Sequence, residues 1–227
     1  MNQERGPLTV LRNRSAAPAE GEVLSFLDDD VVPSLGWSAG VRKWLGFDSI
    51  GGVSGPAIIP HEVRQGRDLF KYPWIKRGYD WAFLGKARGI PGKITSAGTF
   101  TTASSEPSCH YEGAVDFMEA CNLSLKTSLF QWLHGFDEAY TGVGEWSEPD
   151  LAFRLRSRTG KLIWFSPECA VTHYCDPTGA YQERLQVATR LTNYELFASR
   201  WVCPHWRHTL FRQFMGAYYW LKARRMV

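Results

Sequence analysis

Three consecutive aspartates, Asp28, Asp29 and Asp30, stand directly after the apolar run Val23–Leu27. Neighbouring carboxylates repel one another, so a chain that clusters them needs something to offset the charge. If the run is a buried strand whose geometry persists, Asp28 and Asp30 point the same way, because side chains repeat every two residues. Carboxylates at the carboxyl end of such a strand sit where open α/β sheets bind ligands. Two of them converging there suit a hard divalent cation, Mg²⁺ or Mn²⁺, that itself carries phosphates. A solvated Asx-turn between strand and helix is the competing reading, and the triplet alone does not decide between them.

Two further segments put titratable groups at element boundaries. His173 closes the apolar run in "ECAVTHY", where a lone histidine is either a packed or capped side chain or a ligand. In "WSEPDLAFRLRSRTG", Ser147 and Asp150 have the spacing of a capping box, with Pro149 in the first turn and Gly160 as the stop. A helix over Ser147–Thr159 follows, with Asp150 as its cap and Arg154 one turn on.

The elements that must position these groups alternate between strand and helix, which gives an α/β class. Leu8–Ala17 is a short helix candidate. Pro33 is expected to open a helix running to about Leu45. Ser49–Ile59 reads as a strand whose Gly51, Gly52 and Gly55 let another backbone or a ligand come close. His61–Gly92 is an aromatic, basic insertion, Gly92–Thr102 reads as strand, and the chain from there to Gly113 as loop. Phe117–Leu125 is strand, followed by a short helix through Trp132, and Lys161–Phe165 is strand again. Two helices broken near Cys203–Pro204 follow Asp176.

With 227 residues, 44% hydrophobic and 22% charged, the chain can build one substantial core, with or without a small appendage. Five cysteines with no CxxC pair argue against a disulfide framework or zinc knot and for a reducing compartment. No signal-peptide core and no run of ~18 apolar residues is present, so a cytoplasmic protein is expected. The net charge of +3 is low for a nucleic-acid partner, which is disfavoured, although no acidic residue follows Glu195.

Taken together, "GEVLSFLDDDVVPSLGW", "GGVSGPAIIP", "ACNLSLKTSLFQWLHGFDE" and "SEPDLAFRLRSRTGKLIWFSPECAVTHY" resemble the family 2 glycosyltransferases of GT-A fold, over roughly Leu8–Tyr174. The resemblance implies a Rossmann-like, mostly parallel mixed sheet flanked by helices over residues 1–176, and a C-terminal helical extension over 177–227. It implies an inverting transfer of sugar from a nucleotide-diphosphate donor to a glycan or lipid-linked acceptor, as in polysaccharide and cell-envelope biosynthesis. In such enzymes the aspartates hold a Mn²⁺ or Mg²⁺ ion that bridges the donor phosphates and neutralises charge as the diphosphate leaves. Asp30 matches the direct ligand, Asp28 the residue nearer the donor ribose and sugar, and His173 a further ligand of some relatives. The general base falls at Glu148, where the family has aspartate, with Asp150 as runner-up. Asn122 and Arg12, the latter with Asn13, match positions beside the donor. Trp146 either stacks on a sugar face or packs in the core. Asp137 in "HGFDE" is a turn residue, and Arg154 pairs with a first-turn carboxylate or a donor phosphate.

The family pattern carries two β-α units ahead of Arg12, with the pocket for the nucleotide base. A βαβ unit takes ~30 residues, and 27 residues precede Asp28. The expectation is therefore an incomplete GT-A domain, weakly active alone, with an exposed sheet edge and its base-binding part upstream or on a partner. A non-catalytic glycan-binding or scaffolding remnant is the rival reading. A nucleotidyltransferase would need a Gly-rich phosphate loop near its start, which the sequence lacks. "LFKYPWIKRGYDWAF" suits a phosphate-linked acceptor, or is a hydrophobic loop anchored on the core. The tail aligns Leu210, Phe211, Phe214, Tyr218 and Leu221 on one helical face. That face suits the inner surface of an anionic membrane, the chain's own domain, or a second copy as a homodimer.

Overall fold

The apolar run Val23–Leu27 folds as strand β1, preceded by helix α1 (Leu8–Ala16). The computed structural model describes residues 6–64, 73–101, 105, 109–175, 187–203 and 205–223. The opening of the "LFKYP" stretch, the boundary drawn at Asp176, the side chain of Leu221 and the pair Arg224–Arg225 lie outside the described residues. After the aspartates come β2 (Val31–Pro33), α2 (Trp37–Leu45), β3 (Ile50–Ser54) and β4 (Ala57–Ile58). Two short helices, α3 (His61–Arg64) and α4 (Pro73–Tyr79), lead to β5 (Gly113–Val115), β6 (Asn122–Lys126), α5 (Thr127–Trp132) and α6 (Ser147–Thr159). The chain ends in β7 (Leu162–Phe165), β8 (Val171–His173), α7 (Val187–Trp201) and α8 (Trp206–Ala223).

Two sheets result, in the orders β1-β6-β3-β7-β5 and β2-β8-β4. In the first, β1, β3 and β7 share one direction, as a mostly parallel sheet requires. Strand β6 inserts between β1 and β3, however, so β3·β7 is the one parallel pairing among four. Helices α5 and α6 cover one face through Phe130, Leu151 and Leu155, together with Leu133 just past α5, packed on Leu123, Leu125, Ile163 and Phe165. Helix α2 covers the other with Val41 and Leu45 against Ile50 and Val53. Strand β3 is buried on both faces, and its glycines fit that place. A Cβ at Gly51 would meet the Leu155 side chain at 2.5 Å, and one at Gly55 would meet the Cys169 carbonyl oxygen at 2.2 Å.

Several sequence expectations shift. Pro33 does not open α2; it ends β2, where its missing N–H is tolerated at a sheet edge, and Gly36 at φ +86° starts the helix. Ser49–Ile59 divides into β3 and β4. Of the expected strand Gly92–Thr102, the described residues 92–101 are no strand: left-handed Gly92 and Gly98 bend them into a tight loop with a bridge from Ile94 to Phe100. The strand expected at Phe117 begins at Asn122, and the segment read as loop up to Gly113 continues into β5.

Helix α6 has the bounds its sequence signals but not the cap. Trp146 in the left-handed conformation starts it, Ser147 Oγ is buried without a partner, and Gly160 at φ +70° ends it. Asp150 is fully buried and turns into the protein, where its carboxylate accepts from Arg154 Nε (2.7 Å), Trp201 Nε1 (2.8 Å), Arg200 Nη1 (3.3 Å) and the Tyr140 hydroxyl (3.3 Å). This cluster ties α6 to α7. Burial first, then the Asp150 charge, pushes the Tyr140 phenol far above its usual range. Helix α8 turns Phe211 and Met215 inward, with Phe214 and Tyr218 packed against the same cluster as Tyr194 and Phe83. The aromatic face expected for a membrane or partner is thus largely spent on the chain's own domain.

A buried carboxylate with two guanidinium partners is costly to remove on its own, because the cations stay behind. Asp150→Ala is expected to lower the unfolding free energy by about 3–5 kcal/mol in a urea titration. A loss below about 1 kcal/mol would show that the cluster does not hold α6 on α7.

Candidate functional site

Strand β1 delivers Asp28, and the turn after it bends the chain so that β2 can pair antiparallel with β8, Val31 opposite His173. The Tyr174 amide donates to the Asp30 carbonyl at 2.9 Å, which fixes the join. His173 Nε2 consequently lies 3.2 Å from Asp30 Oδ1. One ligand atom each from Asp28, Asp30 and His173 can be chosen so that all three lie within 4.8 Å of one another. The two carboxylates are hard, anionic donors of the kind that fits Mg²⁺ or Mn²⁺, and the imidazole is a borderline nitrogen donor that suits Mn²⁺ better than Mg²⁺. Cys169, which precedes β8, is a packed thiol: burial first, and the neighbouring Glu168, push it up to about 12.

The second half of the site comes from α1 and α6. Arg12 Nη1 donates to Glu148 Oε1 at 2.7 Å, while Nη2 lies 3.7 Å from Asp28 Oδ1. One guanidinium therefore spans the candidate base and the first aspartate of the cation set. Both members of the short pair are largely shielded, Arg12 at 11% and Glu148 at 13% side-chain exposure. Asn13, beside Arg12, is a clamp: its amide donates to the Phe136 carbonyl at 2.9 Å and accepts from the Phe136 N–H at 2.8 Å. A Cβ at Gly135, φ +69°, would lie 2.4 Å from the Asn13 oxygen, which accounts for the glycine of "HGFDE". Asp137 is indeed in a turn, accepting from the Ala139 amide and pairing with Arg200.

Other candidates belong to the scaffold. Asn122 pairs with Leu27 across β6 and β1, one residue from Asp28, but is 1% exposed. Its amide donates to the carbonyls of Gly55 (3.1 Å) and Cys169 (2.7 Å) and accepts from Trp37 Nε1 (3.0 Å), so it staples β6 to the segments that follow β3 and precede β8 instead of facing a donor sugar. Asp150, with four donors and no exposure, is not placed to take a substrate proton. Trp146 is a core residue, 3% exposed, its indole donating to the Gly98 carbonyl at 3.1 Å. Arg154 pairs with Asp150 and donates to the carbonyls of Leu133 and Gly135. Sequence spacing missed the Arg12–Glu148 pair, since 136 residues separate them. The one signal was the match of Arg12 and Asn13 to the "RN" of the family pattern.

Two surface hollows, of about 720 and 360 Å³, lie elsewhere, lined by residues such as Val23, Arg42 and Lys126 or Ala16, Phe130 and His134. Neither is lined by Asp28, Asp30, Glu148 or His173.

No family model matches the sequence, and no curated protein matches it. Among solved structures, GalNAc-T7 with UDP, GalNAc and Mn²⁺ is similar at a TM-score of 0.59 and 14% identity, over 88% of this chain and 36% of that one. The mannosyltransferase PcManGT from Pyrobaculum calidifontis, in complex with GDP-Man and Mn²⁺, is similar at 0.50 and 16%, over 96% and 50%. The fold is thus GT-A-like, and the chain spans between about a third and a half of the length of these neighbours.

The donor set generates a direct expectation. Mn²⁺ at a hundredfold excess over its Kd is expected to stabilise the chain by about 2.7 kcal/mol, read as a raised Tm, and Asp30→Asn is expected to remove the shift. A shift that survives Asp30→Asn would place the ion elsewhere.

Proposed function

We propose that this chain carries the cation site and general base of an inverting glycosyltransferase of the family 2 type, moving sugar from a nucleotide-diphosphate donor to a glycan or lipid-linked acceptor. The observation that carries the reading is the Arg12 bridge, which brings Glu148 within one side chain of Asp28. The two neighbours support it, since one holds UDP and Mn²⁺ and the other GDP-Man and Mn²⁺.

Asp28, Asp30 and His173 would hold the Mn²⁺ or Mg²⁺. When bound, that ion supplies Lewis-acid neutralisation of the departing diphosphate. Glu148 takes the acceptor hydroxyl proton on Oε2, while Arg12 holds Oε1 and fixes the carboxylate plane. The longer glutamate serves where the family has aspartate. Strand β1 is an end strand of its sheet, and we assign the base-binding part, upstream or on a partner, to pairing along that edge. Such a part would complete the donor pocket and raise an otherwise weak activity.

The assay is release of nucleoside diphosphate from a panel of nucleotide sugars with Mn²⁺ and acceptor glycans. Glu148→Gln is expected to lower kcat by about 10²–10⁴ with little change in KM, and Glu148→Asp to retain most of it. Unchanged kcat in Glu148→Gln would remove the base assignment, and no turnover in any arm would favour a non-catalytic remnant.

We assign a peripheral membrane contact to the outward face of α8, where Trp206, Leu210 and Trp220 are exposed and Lys222, Arg224 and Arg225 follow in sequence. Among the described residues no helix is long and apolar enough to cross a membrane. Truncation would strip Phe211 and Met215 from the core, so substitution is the cleaner test. The intact chain is expected to float with vesicles containing anionic lipid and to lose this in Trp206→Ser/Leu210→Ser/Trp220→Ser. Equal flotation of both would dispose of the contact, and loss of dimers in place of flotation would assign the face to a second copy.

A further inference from the structure

We infer that Arg12 is the resident counter-ion of the site, a positioning residue that shares Asp28 until a divalent cation claims it and then rests on Glu148 alone. The inference rests on the cation reading above. Its two contacts are unequal: 2.7 Å to Glu148 is a short charge-assisted hydrogen bond, and 3.7 Å to Asp28 is an ion pair without one. The side chain lies over the Phe136 ring, 5.6 Å from its centroid, so the guanidinium has a fixed ledge. The helix beneath it is anchored, with Thr9 Oγ1 donating to the Tyr140 carbonyl at 2.8 Å and the Leu8 amide to the Gly142 carbonyl at 2.8 Å. Any movement is therefore confined to the arginine side chain.

Without a cation, Asp28, Asp30 and Glu148 are three carboxylates in one small region, and Arg12 offsets part of their repulsion. A doubly charged ion among Asp28, Asp30 and His173 repels a guanidinium that shares Asp28. The short bond to Glu148 gives that guanidinium a place to stay. Two consequences follow from the same geometry. Arg12 and the ion compete for Asp28, and loading of the ion commits Arg12 to Glu148, which orients the carboxylate that faces the acceptor.

The test is equilibrium binding of Mn²⁺ alone to the full chain, read from the electron paramagnetic resonance signal of the free ion. Arg12→Gln is expected to bind Mn²⁺ about tenfold more tightly, because a competing positive charge is gone. Arg12→Lys keeps the charge and is expected to stay close to the parent chain. Glu148→Gln is expected to weaken binding several-fold by leaving Arg12 wholly to Asp28, with a smaller effect when Arg12→Gln is also present. Should Arg12→Gln fail to fold in a thermal melt, the ordering of Glu148→Gln below Arg12→Lys carries the test. Binding that Asp30→Asn abolishes but Arg12→Gln leaves unchanged or weakens would overturn the inference while the cation site stands. Absence of binding in both the parent and Arg12→Gln would end the cation reading and this inference with it.

Discussion

Everything the site can do depends on a three-residue strand pairing. Val31, Val32 and Pro33 lie antiparallel to Val171, Thr172 and His173, and this short ladder carries Asp30 next to an imidazole about 140 residues away in sequence. Were β2 to slip by one residue, its side chains would exchange faces and Asp30 would be carried away from His173. The pairing is protected by its surroundings. Strand β4 lies parallel on the other side of β8, the Val171 amide donates to the Pro56 carbonyl, and Asn122 ties Gly55 and Cys169 to the start of β6.

Two carboxylates two residues apart on α6 show how burial sorts chemistry from architecture. Asp150 points inward and meets two guanidinium groups, an indole and a phenol. A carboxylate so enclosed, with no exposure, is out of a substrate's reach, and its hydrogen bonds dock α7. Glu148 lies on the side of the helix toward α1 and pairs with Arg12, which it shares with Asp28. The same helix thus contributes a structural anion and a candidate base, and the difference lies in the neighbours, not in the residue type.

The sequence exposed the parts of this arrangement that depend on local rules. The bounds of α6 and the close approaches at Gly51 and Gly55 follow from spacing and steric size, and both are present. Asp28 and Asp30 also converge, but through a turn at Asp29–Asp30 closed by the Val31 amide on the Asp28 carbonyl, not through a continued strand. What local rules could not reach was long-range. The S-x-x-D spacing suggested that Asp150 caps its helix, but a hydrogen bond to a first-turn amide loses to Arg154 one turn on and to three donors from beyond the helix, Tyr140, Arg200 and Trp201. Pro33 looked like a helix opener because the ladder that recruits it to an edge lies on β8. The strand expected at Gly92 gave way to two left-handed glycines. Arg12 was marked only by the resemblance of "RN" to a family pattern, and its reach to Glu148 exists only after α1 and α6 have packed.

The GT-A-like fold and the donor set of Asp28, Asp30 and His173 give the cation a central place in this account. A crystal of the chain soaked in MnCl₂, with anomalous scattering recorded at the manganese edge, addresses it most directly. The account requires a peak within coordination distance of Asp28, Asp30 and His173, with the Arg12 guanidinium turned to Glu148. A peak bound elsewhere, or these three side chains left without an ion at saturating Mn²⁺, would contradict it.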